Sequence, residues 1–268
     1  MKITVLGSGS RGNAIALQST STTILVDAGF PLKELERRAA GAGLSLTGLD
    51  AVVLTHEHGD HATGAAALAR AAGCPVVATS GTLRALGLND ADIATCELPH
   101  GSAIRRGTLD IAACRTSHDA ADPVAVAVSD PGTGVRIAIA YDVGRVTVGL
   151  TRFLRSVHGL ILEANHDDDM LRTGPYPARV RARIAGPTGH LSNRSASDLA
   201  AAVCHGDLQT VVLAHLSDRC NRPELAMETV RQALRSKGFR GRLLVAMQDE
   251  PVGPIEVGSR QYALNVFG

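Results

Sequence analysis

Directly behind the apolar run Ala51-Val52-Val53-Leu54, the chain sets His56, His58, Asp60 and His61 in an H-x-H-x-D-H cluster. A short apolar run of this kind reads as a buried strand, so four side chains able to ligate a transition metal are presented together at one strand end. Imidazole nitrogens and a carboxylate suit Zn²⁺, Mn²⁺ or Fe, and a set without a thiolate does not match a closed structural zinc site. The loop therefore reads as catalytic, and the fold has to bring further ligands to it.

The rest of the chain alternates between strand and helix signals. Strand-like segments recur near residues 2–6, 13–18, 22–27, 50–55, 75–79, 108–115, 123–129, 134–140, 159–163, 209–214 and 241–247. Helical patterns run from Leu32 to Ala42, Ala62 to Ala72, Thr147 to Val157, Ser195 to Cys204 and Pro223 to Lys237. Asn221 is the expected N-cap of the last helix, Pro223 lies in its first turn and Gly238 stops it. Pro131-Gly132-Thr133-Gly134 reads as a hairpin turn near the middle, with strands followed by strand–helix alternation on either side. The pattern predicts an α/β protein: two mixed β-sheets packed together and flanked by helices, a four-layer α/β/β/α sandwich with residues 1–268 as one domain. A chain of 268 residues with 45% hydrophobic content can fill such a core.

Composition bears on partners and compartment. Basic and acidic residues number 27 and 26, so there is no global electrostatic case for nucleic acid. The local run Arg179-Val180-Arg181-Ala182-Arg183 reads either as a solvated helix face or as a set of phosphate contacts. Apolar runs such as Thr210 to Ala214 are far shorter than the roughly 20 residues that span a bilayer. Met1 to Leu6 enters a strand pattern at once, without a secretory h-region, which places the protein in the cytoplasm. Cys74, Cys96, Cys114, Cys204 and Cys220 are odd in number and form no C-x-x-C pair, so they read as reduced thiols.

Three more polar residues fall at strand ends: His118 after Leu109 to Cys114, Asp142 after Val135 to Tyr141, and His215 after Thr210 to Ala214. Strands directing their C-terminal ends to one edge would gather these side chains around the first cluster. At this point the sequence resembles the metallo-β-lactamase superfamily over nearly its whole length. The resemblance implies two divalent cations, Zn²⁺ or Mn²⁺. His56, His58 and His118 would bind one, Asp60, His61 and His215 the other, and Asp142 would bridge them. It gives Asp27, in Leu25-Val26-Asp27-Ala28-Gly29, the task of holding the metal loop from behind.

Gly7-Ser8-Gly9-Ser10-Arg11-Gly12-Asn13, Glu163-Ala164-Asn165-His166-Asp167 and Gly189-His190-Leu191-Ser192-Asn193 look like the YycJ/WalJ subgroup of bacterial nucleases. They are also similar to motifs of the transfer-RNA 3′-processing endonucleases, by which Glu163 and His190 would form a proton-relay pair. No long flexible arm is evident between the motifs, and the stretch from Asp142 to His215 is too short for a β-CASP cap domain, which weakens both RNA-processing readings.

The expected chemistry is hydrolysis. Two cations about 3.5 to 4 Å apart lower the pKa of a shared water toward about 7, so that hydroxide forms at neutral pH. Asp60 would orient that nucleophile and His190 would give the departing alkoxide its proton. Ser10 and Asn13 in the glycine-rich turn, together with His166, are the candidate substrate contacts. The turn equally suits a tight hairpin, and the Asn165-His166-Asp167 stretch equally suits a helix cap. Asn193 or Ser195 would cap the helix running to Cys204, while His100, His158 and His205 stand outside any motif and read as structural. The leading reading is a phosphodiesterase acting on nucleic acid, DNA more than RNA and exonuclease-like. The alternatives are a hydrolase of thioesters, lactones or cyclic phosphates, and a non-catalytic metal-bound regulator.

Overall fold

Most strands of this chain are apolar on both faces, because each sheet is covered by the other sheet on one side and by helices on the other. The computed structural model describes residues 1–88 and 92–258, so positions 259–268 of the expected domain lie outside the described residues. The first sheet contains β1 (Lys2–Gly7), β2 (Ala14–Gln18), β3 (Thr23–Val26), β4 (Ala51–Val53), β5 (Val76–Ala78) and β6 (Thr95–Glu97). The second contains β7 (Ala103–Arg106), β8 (Leu109–Arg115), β9 (Val124–Asp130), β10 (Val135–Ala140), β11 (Gly159–Glu163), β12 (Thr210–Ala214) and β13 (Arg242–Val245). β14 (Val252–Glu256) then returns to pair with β1. In each sheet antiparallel strands give way to parallel ones: at β3 and β4 in the first, at β10 and β11 in the second.

Period-two alternation divides each strand between two cores. Val53 and Ile161 face the space between the sheets, with Ile3, Val26, Val126, Ile139 and Val212. Their neighbours Val52, Leu160 and Leu162 face outward. On the first sheet the outer layer is α1 (Leu32–Gly41) and α3 (Ala65–Ala72), which contribute Leu35, Ala39, Leu68 and Ala69. On the second it is α5 (Val148–Phe153), α8 (Asn193–Val203) and α9 (Pro223–Ser236), which contribute Leu150, Leu199, Val203, Val230 and Leu234. Each such leucine or valine side chain contributes about 1.5–3 kcal/mol by burial. The four-layer α/β/β/α sandwich is thus present.

Some elements differ from the sequence expectation. β6, β7 and β14 carry no continuous apolar signal and were not expected; β6 and β7 end their sheets, and β14 pairs only along β1. The short helix α4 (Ser80–Ala85) also appears, while α6 (Asp168–Thr173) starts where a capped helix is one reading and α7 (Ala178–Ile184) carries the arginine run read as a helix face. The helix expected from Ala62 begins at Ala65, preceded by the single turn α2 (Gly59–Ala62), because Gly64 packs against the chain after β3. There its amide donates to Ala28 O at 2.7 Å, and a Cβ would stand 2.2 Å from Phe30 O. Arg222, not Asn221, is the N-cap of α9, since the Asn221 amide is paired reciprocally with that of Asn193 at 2.9 Å. That pairing likewise places Asn193 inside α8 and leaves its capping to Ser192, whose hydroxyl accepts from Ser195 N at 3.3 Å.

The strand directions decide where function sits. β3 and β4 run parallel, as do β10, β11 and β12, while β8 shares the direction of β10 through the antiparallel β9. The segments following β3, β4, β8, β10, β11 and β12 carry Asp27, His56–His61, His118, Asp142, the stretch after Glu163, and His215. All of them meet at one edge of the sandwich.

Candidate metal centre

The loop after β4 is fixed from behind by Asp27. Its Oδ1 accepts from Thr55 N at 2.8 Å, and its Oδ2 accepts from the Thr55 hydroxyl at 2.8 Å and the Tyr141 hydroxyl at 2.5 Å. The same Oδ2 lies 2.7 Å from His61 Nδ1, which sets the tautomer with Nδ1 protonated and leaves the Nε2 lone pair for a metal. Gly29 completes the support: a Cβ there would lie 1.8 Å from the Asp60 carbonyl oxygen, so the backbone itself packs against the loop.

Asn13 belongs to this scaffold and is not a substrate contact. It is fully buried, its Oδ1 accepts from Ser8 Oγ at 2.8 Å and Gly9 N at 3.0 Å, and its Nδ2 reaches Gly9 O, Asp60 O and His61 Nε2. The glycine-rich turn is thereby tied to the first cluster from within, while Ser10 lines the cleft in front of it.

Two groups of donors converge. His56 Nε2 lies 3.1 Å from His58 Nδ1, which lies 3.3 Å from His118 Nε2. Asp60 Oδ2 lies 3.5 Å from His61 Nε2 and 3.4 Å from His215 Nε2. Asp142 stands between them, with Oδ2 at 2.9 Å from His61 Nε2 and 4.0 Å from His56 Nε2, and Oδ1 at 3.8 Å from His118 Nε2. Although buried, Asp142 Oδ2 has no aligned hydrogen-bond donor, an expensive state for a carboxylate oxygen in a protein interior. The donor types, their convergence and this orphaned oxygen fit divalent cations.

The backbone bears the cost of that convergence. Asp27, Asp142 and His215 take φ of 58°, 55° and 55° just beyond their strands, and among the described residues the only other non-glycine residue with positive φ is Ser156. Each such residue stores about 1–3 kcal/mol of strain. The packed sheets hold it because the turn at each strand end aims the side chain into the site.

Electrostatics divide the histidines. Burial, together with neighbouring imidazoles, drives His56 well below its ordinary pKa, and burial lowers His118, so both present lone pairs. Burial also opposes charge on His215, but Asp142, Asp60 and Glu163 outweigh it and hold the imidazole up to about 9. Burial is likewise overcome at Asp142, which the surrounding histidines hold well below the carboxylate range.

Glu163, fully buried at the end of β11, joins this cradle to a proton carrier. Its Oε2 accepts from Val143 N at 2.9 Å and Leu191 N at 3.0 Å, and its Oε1 lies 2.8 Å from His190 Nδ1 and 3.3 Å from His215 Nδ1. Burial opposes ionisation of Glu163, yet the charge and hydrogen bond of His190 and the hydrogen bond of His215 pull its pKa to about 2. Burial also opposes charge on His190, but Glu163 and Asp142 outweigh it and raise its pKa to about 11. His190 lines a cleft of about 500 Å³ with His58, Asp60, His118, Asp142 and His215.

His166 does not join them. It is 2% exposed and absent from the cleft lining, and the helix behind it is capped by Asp167, whose Oδ1 accepts from Asp169 N and Met170 N. The helix-cap reading of the Asn165-His166-Asp167 stretch thus holds through Asp167, and the structure turns His166 itself away from the cleft. His100, His158 and His205 have structural partners in Asp122, Arg136 N and Val157 O. Two elements of the site escaped sequence reading. One is Tyr141, whose signal was the presence of a scarce aromatic, one of three tyrosines, directly before Asp142. The other is the cleft wall formed by Tyr176, Val180 and Ile184, whose spacing of four residues was the available sign.

Comparison with known proteins agrees with this geometry. Residues 7–174 match the model of the metallo-beta-lactamase superfamily. The chain is 33% identical over 242 residues to "Exodeoxyribonuclease YycJ" of Bacillus anthracis, covering 89% of this chain and 91% of that one. It is 32% identical over 235 residues to "Exodeoxyribonuclease WalJ" of Streptococcus pneumoniae, covering 85% and 86%. Among solved structures, the metallo-beta-lactamase fold protein YhfI of Bacillus subtilis superposes with a TM-score of 0.70 at 18% identity, over 94% of this chain and 99% of that one. With the same fold and the family's sequence model over more than half its length, the chain belongs to the metallo-beta-lactamase superfamily.

Proposed function

We propose that this protein is a single-domain, cytoplasmic, metal-dependent exonuclease that hydrolyses phosphodiester bonds of DNA at a dinuclear centre. The observation that carries the reading is the Glu163–His190 pair, 2.8 Å apart beside the converging donors. A departing alkoxide needs a proton, and an imidazole held by a carboxylate and opening on the cleft is placed to supply one. The names of the two relatives support DNA as substrate. The five free cysteines suit a reducing compartment.

His56, His58 and His118 would hold one cation, and Asp60, His61 and His215 the other, with Asp142 shared between them. Zn²⁺ and Mn²⁺ both suit this mixed imidazole–carboxylate set. When bound, the cations supply charge stabilisation and an acidified water. The protein's own residues do the rest. Asp27 fixes the His61 ring, Asp60 offers an oxygen to orient the attacking water, and Glu163 holds His190 Nδ1 so that its other nitrogen is free to protonate the leaving group.

End-labelled single- and double-stranded DNA, incubated with protein loaded with Zn²⁺, Mn²⁺ or Mg²⁺, tests the proposal. Stepwise shortening that His58→Ala abolishes is expected. Intact DNA under every metal, with turnover of a cyclic phosphate, thioester or lactone instead, would overturn it in favour of a small-molecule hydrolase.

A further inference from the structure

The cleft has a second wall that the metal chemistry does not use. Tyr176, Val180 and Ile184, four residues apart, lie half-buried along α7 and the turn before it, and all three line the same cleft as His58, Asp142, His190 and His215. Within α7 this spacing puts Val180 and Ile184 on one face, and Tyr176, just ahead of the helix, joins them in the cleft lining. Arg219 Cζ lies 5.9 Å from the centroid of the Tyr176 ring, within the roughly 6 Å reach of a cation–π contact. The wall is also joined rigidly to the proton carrier: His190 N donates to Ile184 O at 2.9 Å, and a Cβ on Gly189 would meet that oxygen at 2.1 Å. A flat group lying against Tyr176 is therefore held in a fixed relation to His190.

Charge is distributed to match. From Met170 to Ser197 there is no acidic residue, while Arg172, Arg179, Arg181, Arg183 and Arg194 fall within the same stretch. Of these, Arg172, Arg183 and Arg194 are paired with Asp169, Asp119 and Asp168 at 3.0, 3.9 and 3.8 Å, so among the described residues the cations of this stretch without a carboxylate partner are Arg179 and Arg181, on the helix that forms this wall. An aromatic and apolar face flanked by cations is the combination that binds single-stranded nucleic acid, bases stacking on the ring while the backbone follows the charges.

Resting on the nuclease reading above, we infer that the Tyr176–Val180–Ile184 wall receives the unpaired base at the strand end, stacked on Tyr176, and so selects a single-stranded terminus and seats its phosphate before His190. The cleft of about 500 Å³ lies within the range of roughly 300–1,000 Å³ typical of small-ligand pockets, which suits a nucleotide better than a duplex.

A cycle between the residue and the base tests this. Parent, Tyr176→Phe and Tyr176→Ala proteins are assayed on two single-stranded oligonucleotides, one normal and one abasic at the terminal nucleotide the parent removes first. Tyr176→Ala is expected to raise KM on the normal strand by about tenfold, in the range of base–aromatic stacking, with kcat changed less than twofold. The abasic strand should cost the parent the same factor and cost Tyr176→Ala nothing further, and Tyr176→Phe should behave as the parent. In a second measurement, a terminal 2-aminopurine should be quenched on binding metal-free parent protein but not on binding Tyr176→Ala. Equal losses on both strands, or no loss on either, would overturn the inference while leaving the nuclease reading intact. If the parent cuts no DNA, the nuclease reading fails first, and absence of quenching then removes the stacking site as well.

Discussion

Replacing Asp27 with asparagine exchanges one oxygen for an amino group at a position where every neighbour donates. Four donors meet the carboxylate: Thr55 N at Oδ1, and Thr55 Oγ1, His61 Nδ1 and Tyr141 OH at Oδ2. The better orientation of the amide keeps its carbonyl toward the last three and turns its NH₂ against Thr55 N–H. That opposition leaves buried donors unsatisfied at about 1–3 kcal/mol, and each of the three retained bonds loses charge assistance worth about 1 kcal/mol. Relief of carboxylate desolvation offsets part of this, and the net loss comes to about 3 kcal/mol. The backbone does not contribute, because asparagine tolerates the left-handed conformation at φ 58°. Metal affinity should fall by about 10- to 100-fold, since the partner that orients His61 is weakened.

Urea unfolding of metal-free protein measures the first quantity, and competition against a chromogenic chelator measures the second. Tyr141→Phe is the graded control: it removes one donor and no charge, so it should cost about 1 kcal/mol and leave metal affinity nearly unchanged. If Asp27→Asn matches the parent within about 0.5 kcal/mol and binds metal within twofold, the idea that Asp27 holds the loop is wrong.

His190→Gln should lower kcat on DNA by about 10²- to 10⁴-fold while metal content, read by elemental analysis, stays at the parent value; loss of metal along with activity would assign His190 to ligation instead. Gly29→Ala forces a Cβ against Asp60 O at 1.8 Å and should destabilise by about 3 kcal/mol with weakened metal binding, whereas Gly41→Ala, with open space around it, should be neutral or stabilising in the same urea series. Chelation should lower the thermal midpoint, because a cation present at about 100 times its Kd contributes about 2.7 kcal/mol to the folded state; a midpoint insensitive to chelator and metal would argue against the cradle. The hydrogen bond from Arg37 and the contacts from Arg38 outweigh partial burial and pull Glu34 to about 2 from 4.5. A depressed carboxylate stabilises above its unfolded pKa, and the gain is lost as pH falls through its folded one. The stability gap between parent and Glu34→Gln, about 1 kcal/mol after solvent screening, should therefore be full above pH 4.5 and close toward pH 2.

Local chemistry was legible along the chain. The H-x-H-x-D-H cluster after Leu54, the apolar runs behind Asp142 and His215, and the hairpin turn at Pro131–Gly134 are neighbourhood signals, and the strands they mark appear within two residues of expectation. β6, β7 and β14 were not legible, because a short strand at a sheet end or return needs only a partner's hydrogen bonds and shows little apolar pattern. His166 and Asn13 carried misleading signals: a polar residue inside a motif looks the same whether its side chain faces the cleft or the interior.

Residue type and spacing thus determined the candidate donor groups, the two-sheet architecture and the order of elements, because hydrophobic period and metal preference are properties of short segments. The tertiary structure alone decided which face each polar side chain takes. It turned Asn13 inward to brace Asp60, brought Tyr141 onto Asp27 across 114 positions of chain, and set Tyr176, Val180 and Ile184 opposite the metal cradle. Such juxtapositions depend on how two sheets and their loops pack at one edge, a long-range consequence of burial that no local window of sequence contains.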